Sequence, residues 1–337
     1  MVLLKSNIRL LLFISVYIIS CAINFTYAQN LRDACLLEGI KNASEDKTIN
    51  QIKEKCERLK KTKIKPGAIS NRLISERIAA FDPYVITPHK MNYILPVSVS
   101  TKLNTDAYAY DGFDNWQDNL ENFEAKFQLS IKVPLNKNDL LIEGDSLHFG
   151  FTLQSWWQLY SNNISKPFRE TNYQPEIFYV APLNWHPLGS NTGFAIGAEH
   201  QSNGRSQPIS RSWNRVYANF LFEKNNFALS FKPWIRLKES KKEHPLSSDG
   251  DDNPDISDYM GHFELIIAHK WSDYVLSFEG RQNFSHHKGG MELSFTFPLW
   301  GKLRGYAQYT SGYGESLIDY NHSQQRFGLG IALTNLL

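Results

Sequence analysis

Polar and apolar residues alternate with a period of two along most of the chain beyond residue 90. For example, Phe127, Leu129 and Ile131 alternate with Gln128 and Ser130. Such alternation is typical of β-strands with one apolar face, because successive side chains point to opposite sides of a strand. The pattern predicts about twelve strands, near residues 91–101, 120–134, 145–159, 172–182, 191–202, 212–223, 226–237, 257–271, 273–284, 289–299, 302–312 and 324–337.

Polar, turn-rich stretches such as 247–254 and 311–322 separate the predicted strands, and few helical segments follow residue 90. An even number of antiparallel strands with one apolar face suits a closed membrane barrel. The sequence therefore predicts an all-β fold, a twelve-stranded antiparallel transmembrane β-barrel over residues 91–337. A large soluble β-sandwich is the alternative. The last predicted strand runs to the C-terminus and the chain carries an export signal, and both features favour the barrel.

The export signal lies at the N-terminus. The basic residues Lys5 and Arg9 lie just before an apolar stretch over residues 10–19. A sequence that resembles a small-residue cleavage site follows at 26–28. This order is typical of a secretory signal peptide, so residues 1–28 are predicted to be removed on export. The sequence before Cys21 also loosely resembles a lipoprotein cleavage site, which leaves lipidation of Cys21 as an alternative.

Residues 29–63 are polar and have a helical pattern, and they contain Cys35 and Cys56. A matched pair of cysteines in an exported chain predicts a disulfide, here one that joins two short helices into a hairpin over 31–63. Two unrelated thiols are the alternative. Pro66, Pro83 and Pro88 follow and predict an extended linker, which completes an N-terminal periplasmic extension over residues 29–90.

Charge and aromatic content narrow the class further. The net charge of +2 gives no reason to expect binding to nucleic acid. Aromatic residues make up 13% of the chain, with 16 Tyr and 8 Trp, as in barrels whose aromatic girdles lie at the membrane interface.

Two polar residues interrupt the apolar face of the strand predicted over 191–202. Strand parity places His200 and Ser202 on the same face as Phe194 and Ile196. In a membrane barrel this face meets lipid. Asn214 lies on the apolar face of the next strand, and antiparallel pairing can bring it beside His200.

Together, His200, Ser202 and Asn214 have the chemistry of a serine hydrolase site. His200 could take the proton of Ser202, and Asn214 could fix the histidine tautomer through the other ring nitrogen. A neutral amide avoids most of the desolvation cost that a carboxylate has beside lipid. Alternatively, these side chains lie in the headgroup zone and bind water, and the barrel is a passive porin or structural protein. A porin, however, is expected to carry its polar residues on the lumen face. A soluble esterase is disfavoured, because no α/β pattern is present.

The sequence around these three residues resembles the core motif of the outer-membrane phospholipase A family. The matching strings are His200-Gln201-Ser202-Asn203-Gly204-Arg205-Ser206 and Ser210-Arg211-Ser212-Trp213-Asn214-Arg215. Further similar strings lie at residues 155–159, 167–173, 232–234, 251–255 and 311–320. The resemblance covers most of residues 120–337.

This resemblance implies a twelve-stranded barrel in the bacterial outer membrane that acts as a calcium-dependent phospholipase. It implies removal of acyl chains from the sn-1 and sn-2 positions of phospholipids, with homodimerisation as the switch. By matching position, Ser202 is the nucleophile, His200 the base and Asn214 the residue that orients His200. The backbone N–H of Gly204 contributes to the oxyanion hole.

The resemblance also implies a Ca²⁺ site between two subunits. Its ligands are oxygens of Arg205 and Ser210, together with Ser165 of the second subunit, and oxygen ligands suit Ca²⁺. Asp252 is a weaker ligand candidate. In the family, an acidic residue at the position of Gln207 joins the residue at the position of Asp252 in a second calcium site. Gln207 lacks that negative charge.

Another departure from the family concerns the dimer contact. The family often has Gln at the position of Leu153, where its side chain hydrogen-bonds across the interface. A leucine side chain cannot make that bond, so we expect this contact of the dimer to differ.

Overall fold

All twelve predicted barrel strands are present in the computed structural model, which confirms the predicted fold class. The structure describes residues 36, 39–40, 48–50, 52–53, 67–79, 87–110, 113, 115–244, 246–301 and 303–334. A two-residue strand, β1 (Thr87–Pro88), precedes the barrel. The barrel strands are β2 (Tyr93–Ser100), β3 (Phe123–Pro134), β4 (Ser146–Trp157), β5 (Phe168–Leu183), β6 (Asn191–Ser202), β7 (Ser212–Lys224), β8 (Phe227–Leu237), β9 (Phe263–Trp271), β10 (Tyr274–Asn283), β11 (Lys288–Pro298), β12 (Arg304–Tyr313) and β13 (Ser323–Ala332).

Each barrel strand pairs antiparallel with its two neighbours, and β13 closes the barrel on β2, with Phe327 opposite Val99. The longer connections, among them 101–122, 203–211 and 238–262, lie at one end, which we call the loop end. The chain enters the barrel at the opposite, turn end, where connections such as 225–226 and 272–273 are tight turns. In outer-membrane barrels the long loops face outwards and the short turns face the periplasm.

The lumen near the loop end is filled by buried ion pairs. Arg169 Nε lies 2.6 Å from Glu124 Oε1, and Arg169 Nη1 lies 3.1 Å from Asp319 Oδ2. Arg326 binds the other oxygen of Glu124 (2.8 Å) and also contacts Glu315 (2.9 Å). Such deeply buried charges are tolerated because each is paired and hydrogen-bonded. Here the barrel interior is therefore a packed polar core.

The extended linker expected before the barrel is wrong over residues 68–79, which form helix α1 (Ala68–Ala79). Ala68 and Ile69 of this helix pack on Ala228, Ala268 and Val275 at the turn end of the lumen. Alternation favours strands and proline favours extended chain, but these buried contacts stabilise a helix that the local sequence signals only faintly.

A carboxylate of the barrel stabilises the N-terminus of α1. Glu223 accepts hydrogen bonds from the backbone N–H of Ile69 and from that of Ser70 (3.2 Å). A negative charge is favourable there, because the first N–H groups of a helix have no partners within it. A Cβ on Gly67 would lie 2.4 Å from the Glu223 carboxyl carbon, so the close approach requires glycine.

Two more α-helices lie in the loop-end connections, α2 (Trp116–Asn119) and α3 (Ile256–Met260). The strand predicted from residue 257 begins only at Phe263, because Ile256 and Met260 are one helical turn apart and both pack into the lumen core with Trp213. Short 3₁₀ helices occur at Asp106–Tyr108 and Pro187–Gly189. Of the helices in the described residues, none is long and apolar enough to cross a membrane.

The chain divides into two units, Met1–Lys65 and Pro66–Leu337. In the first unit, residues 36, 39–40, 49–50 and 52–53 are helical. The predicted signal peptide at 1–28 lies outside the described residues, and so do Cys21, Cys35 and Cys56. The disulfide and the lipidation site therefore stay predictions.

Candidate active site

Strands β6 and β7 carry the candidate site on the outer wall of the barrel. Ile196 and Phe220 point outwards and are 52% and 51% exposed, whereas Ala195 and Tyr217 point inwards and are 6% and 5% exposed. The inward and outward faces predicted from strand parity are therefore present in the structure. His200, Ser202 and Asn214 continue the outward-facing positions towards the loop end.

The structure brings His200 and Asn214 together as direct cross-strand partners. His200 Nδ1 and Asn214 Oδ1 are 2.9 Å apart, which is a hydrogen bond. Ser202 lies two residues beyond His200 on the same face, half-buried, with Ser212 opposite it. Within the described residues, no hydrogen bond joins the side chain of Ser202 to that of His200.

The connection 203–211 after Ser202 is organised by Asn203, which is buried. Asn203 Nδ2 donates to the Ile209 carbonyl (2.9 Å), and Asn203 Oδ1 accepts from the backbone N–H of Arg211 (2.9 Å). Gly204 follows with φ +62°, in the left-handed region that favours glycine. Its N–H has no acceptor among the described residues and is available as a donor near Ser202.

The residues predicted to bind calcium lie in three connections of the loop end, 158–167, 203–211 and 238–262. Arg205 directs its side chain to the Phe168 carbonyl (2.7 Å). Ser210 donates its hydroxyl to Asp252 (2.6 Å), and its carbonyl accepts from Arg211 Nη1 (2.6 Å). Ser165 is exposed in the connection 158–167. In the described part of the chain, no three His, Cys, Asp or Glu side chains form a metal-binding group.

Three donors surround the carboxylate of Asp252. Lys242 Nζ and Gln207 Nε2 lie 2.5 Å and 2.7 Å from Oδ1, and the Ser210 hydroxyl binds Oδ2. Burial raises the pKa of Asp252, but the hydrogen bonds from these three side chains outweigh burial and hold the pKa below its usual value. An ammonium group therefore already compensates the carboxylate that the sequence offered as a weaker calcium ligand.

On the inner side of the same wall, a buried ion pair fixes the register of β6 and β7. Glu199 and Arg215 are cross-strand partners next to the His200–Asn214 pair, and their side chains are 2.7 Å apart. Lys232 contacts the second oxygen of Glu199 at 2.9 Å. Since Glu199 is 3% exposed, this pairing holds the strands that carry the outer site.

Replacing Glu199 with Leu is expected to lower the free energy of unfolding by about 3–5 kcal/mol, because Arg215 and Lys232 would stay buried without their partner. Denaturant titration of the refolded barrel in detergent measures this. The matched control is Ser230→Ala, which removes one neutral hydrogen bond on the same wall and should cost about 1 kcal/mol. Equal losses in the two variants would contradict the role given to Glu199.

Sequence reasoning missed three polar residues at the site, Asn203, Glu239 and Lys242. Asn203 had a signal, since an Asn-Gly pair after a strand is a turn pattern in which Asn often bonds to the backbone. Glu239 Oε1 accepts a hydrogen bond from Asn214 Nδ2 (3.0 Å). Glu239 and Lys242 lie in a charged segment in which nothing local marks one residue from its neighbours.

The protein is a closed antiparallel barrel that carries a hydrogen-bonded His–Asn pair and a serine on its apolar outer wall. It therefore belongs to the class of membrane barrels that have a polar site at the lipid boundary. The chain belongs to the phospholipase A1 family, since the family model described as Phospholipase A1 matches residues 69–333. The names of two solved relatives place those proteins in the outer membrane. The barrel described here is an outer-membrane protein as well.

Several relatives and solved structures are similar to the chain. Phospholipase A1 of Escherichia coli K12 is 39% identical over 272 residues, which is 80% of this chain and 89% of that protein. An active-site mutant of outer membrane phospholipase A from Escherichia coli has a TM-score of 0.71 at 38% identity, and the match covers 80% of this chain and 100% of that chain. A calcium-bound dimer of the Salmonella typhi outer membrane phospholipase has a TM-score of 0.70 at 37% identity, covering 79% and 98%.

Proposed function

We propose that the protein is a calcium-dependent phospholipase that hydrolyses the sn-1 and sn-2 acyl esters of phospholipids by a serine hydrolase mechanism. The observation that carries the proposal is the 2.9 Å hydrogen bond between His200 and Asn214 on the lipid-facing wall. His200 is only two residues from Ser202 on the same face. Polar groups on this wall lose solvation, so their presence calls for a function. The relatives named phospholipase A1 support the same chemistry.

In the acylation step, Ser202 Oγ attacks the ester carbonyl carbon while His200 Nε2 takes the hydroxyl proton. The carbon–oxygen bond to glycerol then breaks, and His200 returns the proton to the leaving glycerol oxygen. The products are a lysophospholipid and an acyl group on Ser202. Water then attacks the acyl carbon with His200 as base, the fatty acid leaves, and Ser202 regains its proton. Catalytic hydrogen bonds often form only with substrate bound, and the proposal places the Ser202–His200 bond in that complex.

The oxyanion of each tetrahedral intermediate needs a donor near Ser202. The N–H of Gly204 is two residues away and has no acceptor among the described residues, and Gly204 itself is exposed. Donors of this kind typically lower the barrier by about 3–4 kcal/mol. We therefore assign Gly204 N–H to the oxyanion hole.

The backbone carbonyls of Arg205 and Ser210 fit a calcium site. The Arg205 carbonyl accepts no hydrogen bond from the described residues, and the Ser210 carbonyl keeps a second lone pair beside its bond to Arg211. Ca²⁺ takes about six to eight oxygen ligands, so water and Ser165 of a second copy of the chain are proposed to complete the set. A bound ion would supply positive charge near the oxyanion and would stabilise the negative charge that develops there.

The wall beside Ser202 supports a homodimer. A row of cross-strand partners runs from Leu129 through Leu153 and Tyr173 to Ser202. Leu129 is 48% exposed and Tyr173 is 36% exposed. Leu153 makes the centre of this row apolar where the family often has Gln. The calcium-bound dimer of the Salmonella typhi relative supports the same arrangement.

A passive porin is the competing function. Porins conduct through a water-filled lumen, whereas this lumen holds the paired side chains of Glu124, Arg169 and Arg326, which are at most 2% exposed. Helix α1 packs at the turn end of the same lumen. The packed interior and the polar outer wall both favour the phospholipase.

Hydrolysis of a phospholipid with different acyl chains at its two positions tests the proposal. The refolded protein is assayed in detergent micelles with calcium and with EDTA. Both fatty acids should be released, and only with calcium. A barrel that folds, judged by its heat-dependent gel mobility, but releases neither fatty acid in either condition would contradict the proposal and leave the passive barrel.

A further inference from the structure

The side-chain amide of Asn214 is hydrogen-bonded on both sides. Its Oδ1 faces His200 Nδ1 at 2.9 Å, and its Nδ2 faces Glu239 Oε1 at 3.0 Å. The proposed catalytic residues are therefore the inner part of a longer chain, Ser202, His200, Asn214 and Glu239. We infer that Glu239 is a positioning residue, which fixes the amide of Asn214 and places a negative charge behind His200. This inference rests on the function proposed above.

The end of strand β8 explains how Glu239 reaches the outer wall. Leu237 is the cross-strand partner of Asn214 and is 48% exposed on the lipid-facing side. Glu239 lies two residues further, just past the end of β8, and its side chain meets Asn214 at this face. A residue two positions from the direct partner is a diagonal neighbour within reach of a long side chain.

The connection that carries Glu239 is held in place on both sides of it. The backbone N–H of Asp251 donates to the Ser240 carbonyl (2.8 Å), and Arg236 Nη2 binds the Asp251 carboxylate (2.5 Å). The ion pair of Lys242 with Asp252 closes the same segment. These contacts reduce the number of conformations available to Glu239, which lowers the entropy cost of its bond to Asn214.

The hydrogen bond to Glu239 determines which way the amide of Asn214 points. An ionised carboxylate can only accept, so the NH₂ group must face Glu239 and the carbonyl oxygen must face His200. His200 Nδ1 then carries the proton, and Nε2 is left with a lone pair for the proton of Ser202. An isolated asparagine could present either end of its amide, and the wrong end would select the wrong tautomer.

Glu239 also provides the charge that asparagine lacks. In the usual triad a carboxylate stabilises the imidazolium that forms during catalysis. Here the carboxylate is one residue further out, and the hydrogen bond through Asn214 transmits part of its field. Within the described residues, no Lys, Arg or His forms an ion pair with Glu239, and the nearby Lys242 is bound to Asp252. The charge of Glu239 is therefore not cancelled by a contacting cation.

A series of variants at residue 239 separates the charge from the hydrogen bond. Glu239→Gln keeps an acceptor but removes the charge, and Glu239→Ala removes both. We expect kcat to fall about tenfold in Glu239→Gln and further in Glu239→Ala, with KM within about twofold, because the interaction matters most in the transition state. Glu243→Gln is the matched control, an exposed carboxylate of the same connection, and should retain wild-type activity.

A double-variant cycle with Asn214 gives a readout that a merely structural Glu239 would not produce. Asn214→Asp alone places two carboxylates in contact and should lose at least about a hundredfold in kcat, since like charges at this distance repel. Combining Asn214→Asp with Glu239→Gln restores one charge and one donor, and should recover at least about tenfold over Asn214→Asp.

The outcomes distinguish this inference from the proposed function. If wild type hydrolyses phospholipid and Ser202→Ala does not, the function stands, and the Glu239 series can be compared. Activity of both Glu239 variants within twofold of wild type would then overturn the inference. It would also be overturned if Asn214→Asp were equally impaired with Glu and with Gln at residue 239. An inert wild type would instead remove the proposed function itself.

Discussion

Replacing Ser202 with alanine is expected to reduce phospholipid hydrolysis by at least about a thousandfold and to leave the barrel folded. The hydroxyl is the only nucleophile that the proposed mechanism offers to the ester carbonyl. The fold should tolerate the change, because Ser202 lies on the outer wall and its side chain makes no hydrogen bond within the described residues. Fatty acid release and heat-dependent gel mobility, measured on the same sample, check both parts.

Two companion variants sharpen the Ser202 result. His200→Ala should show a loss of similar size, since the hydroxyl is a poor nucleophile without its base. Ser285→Ala removes an exposed hydroxyl from another connection at the loop end and should have wild-type activity. If Ser202→Ala retained a tenth of the wild-type rate, another residue would have to be the nucleophile.

Mixing two inactive variants should restore activity if the calcium site is shared between subunits. Ser202→Ala lacks the nucleophile, and Ser165→Ala lacks the ligand given to the partner, so neither homodimer is expected to work at limiting calcium. In an equal mixture, half of the dimers combine both chains, and each of these has one complete site. The mixture should therefore have about a quarter of wild-type activity.

The mixing experiment also tests the location of the metal. EDTA should abolish the restored activity together with that of wild type, because the proposed ligands hold calcium only at the interface. A mixture no more active than the sum of its two components would contradict the shared site. Full activity of Ser165→Ala alone at limiting calcium would show that Ser165 is not a ligand.

The barrel and the outer-wall residues could be predicted from the sequence because strand alternation is a local signal. A period of two places His200 and Ser202 on one face whatever the rest of the chain does. Antiparallel pairing can bring Asn214 beside His200, because β6 and β7 follow one another in the chain and share an apolar face. The resemblance to a known family then assigned a role to each of these residues.

Contacts between distant segments could not be predicted in this way. Helix α1 depends on Glu223, which is more than 150 residues away in sequence, and on a lumen surface built from three other strands. Glu239 is one of several charged residues after β8, and only the folded strand end shows that it meets Asn214. The sequence does not reveal that Lys242 pairs with Asp252. Without knowledge of that contact, Asp252 remained a candidate calcium ligand.

Chemical trapping of the nucleophile tests the central claim most directly. An alkylphosphonyl fluoride with a lipid-length chain reacts when an activated serine oxygen attacks phosphorus and fluoride leaves. Peptide mass spectrometry of the calcium-loaded barrel should find one adduct, on Ser202, and none in Ser202→Ala or His200→Ala. Phospholipid hydrolysis that continues while Ser202 stays unmodified, or an adduct on a different serine that abolishes activity, would contradict the account.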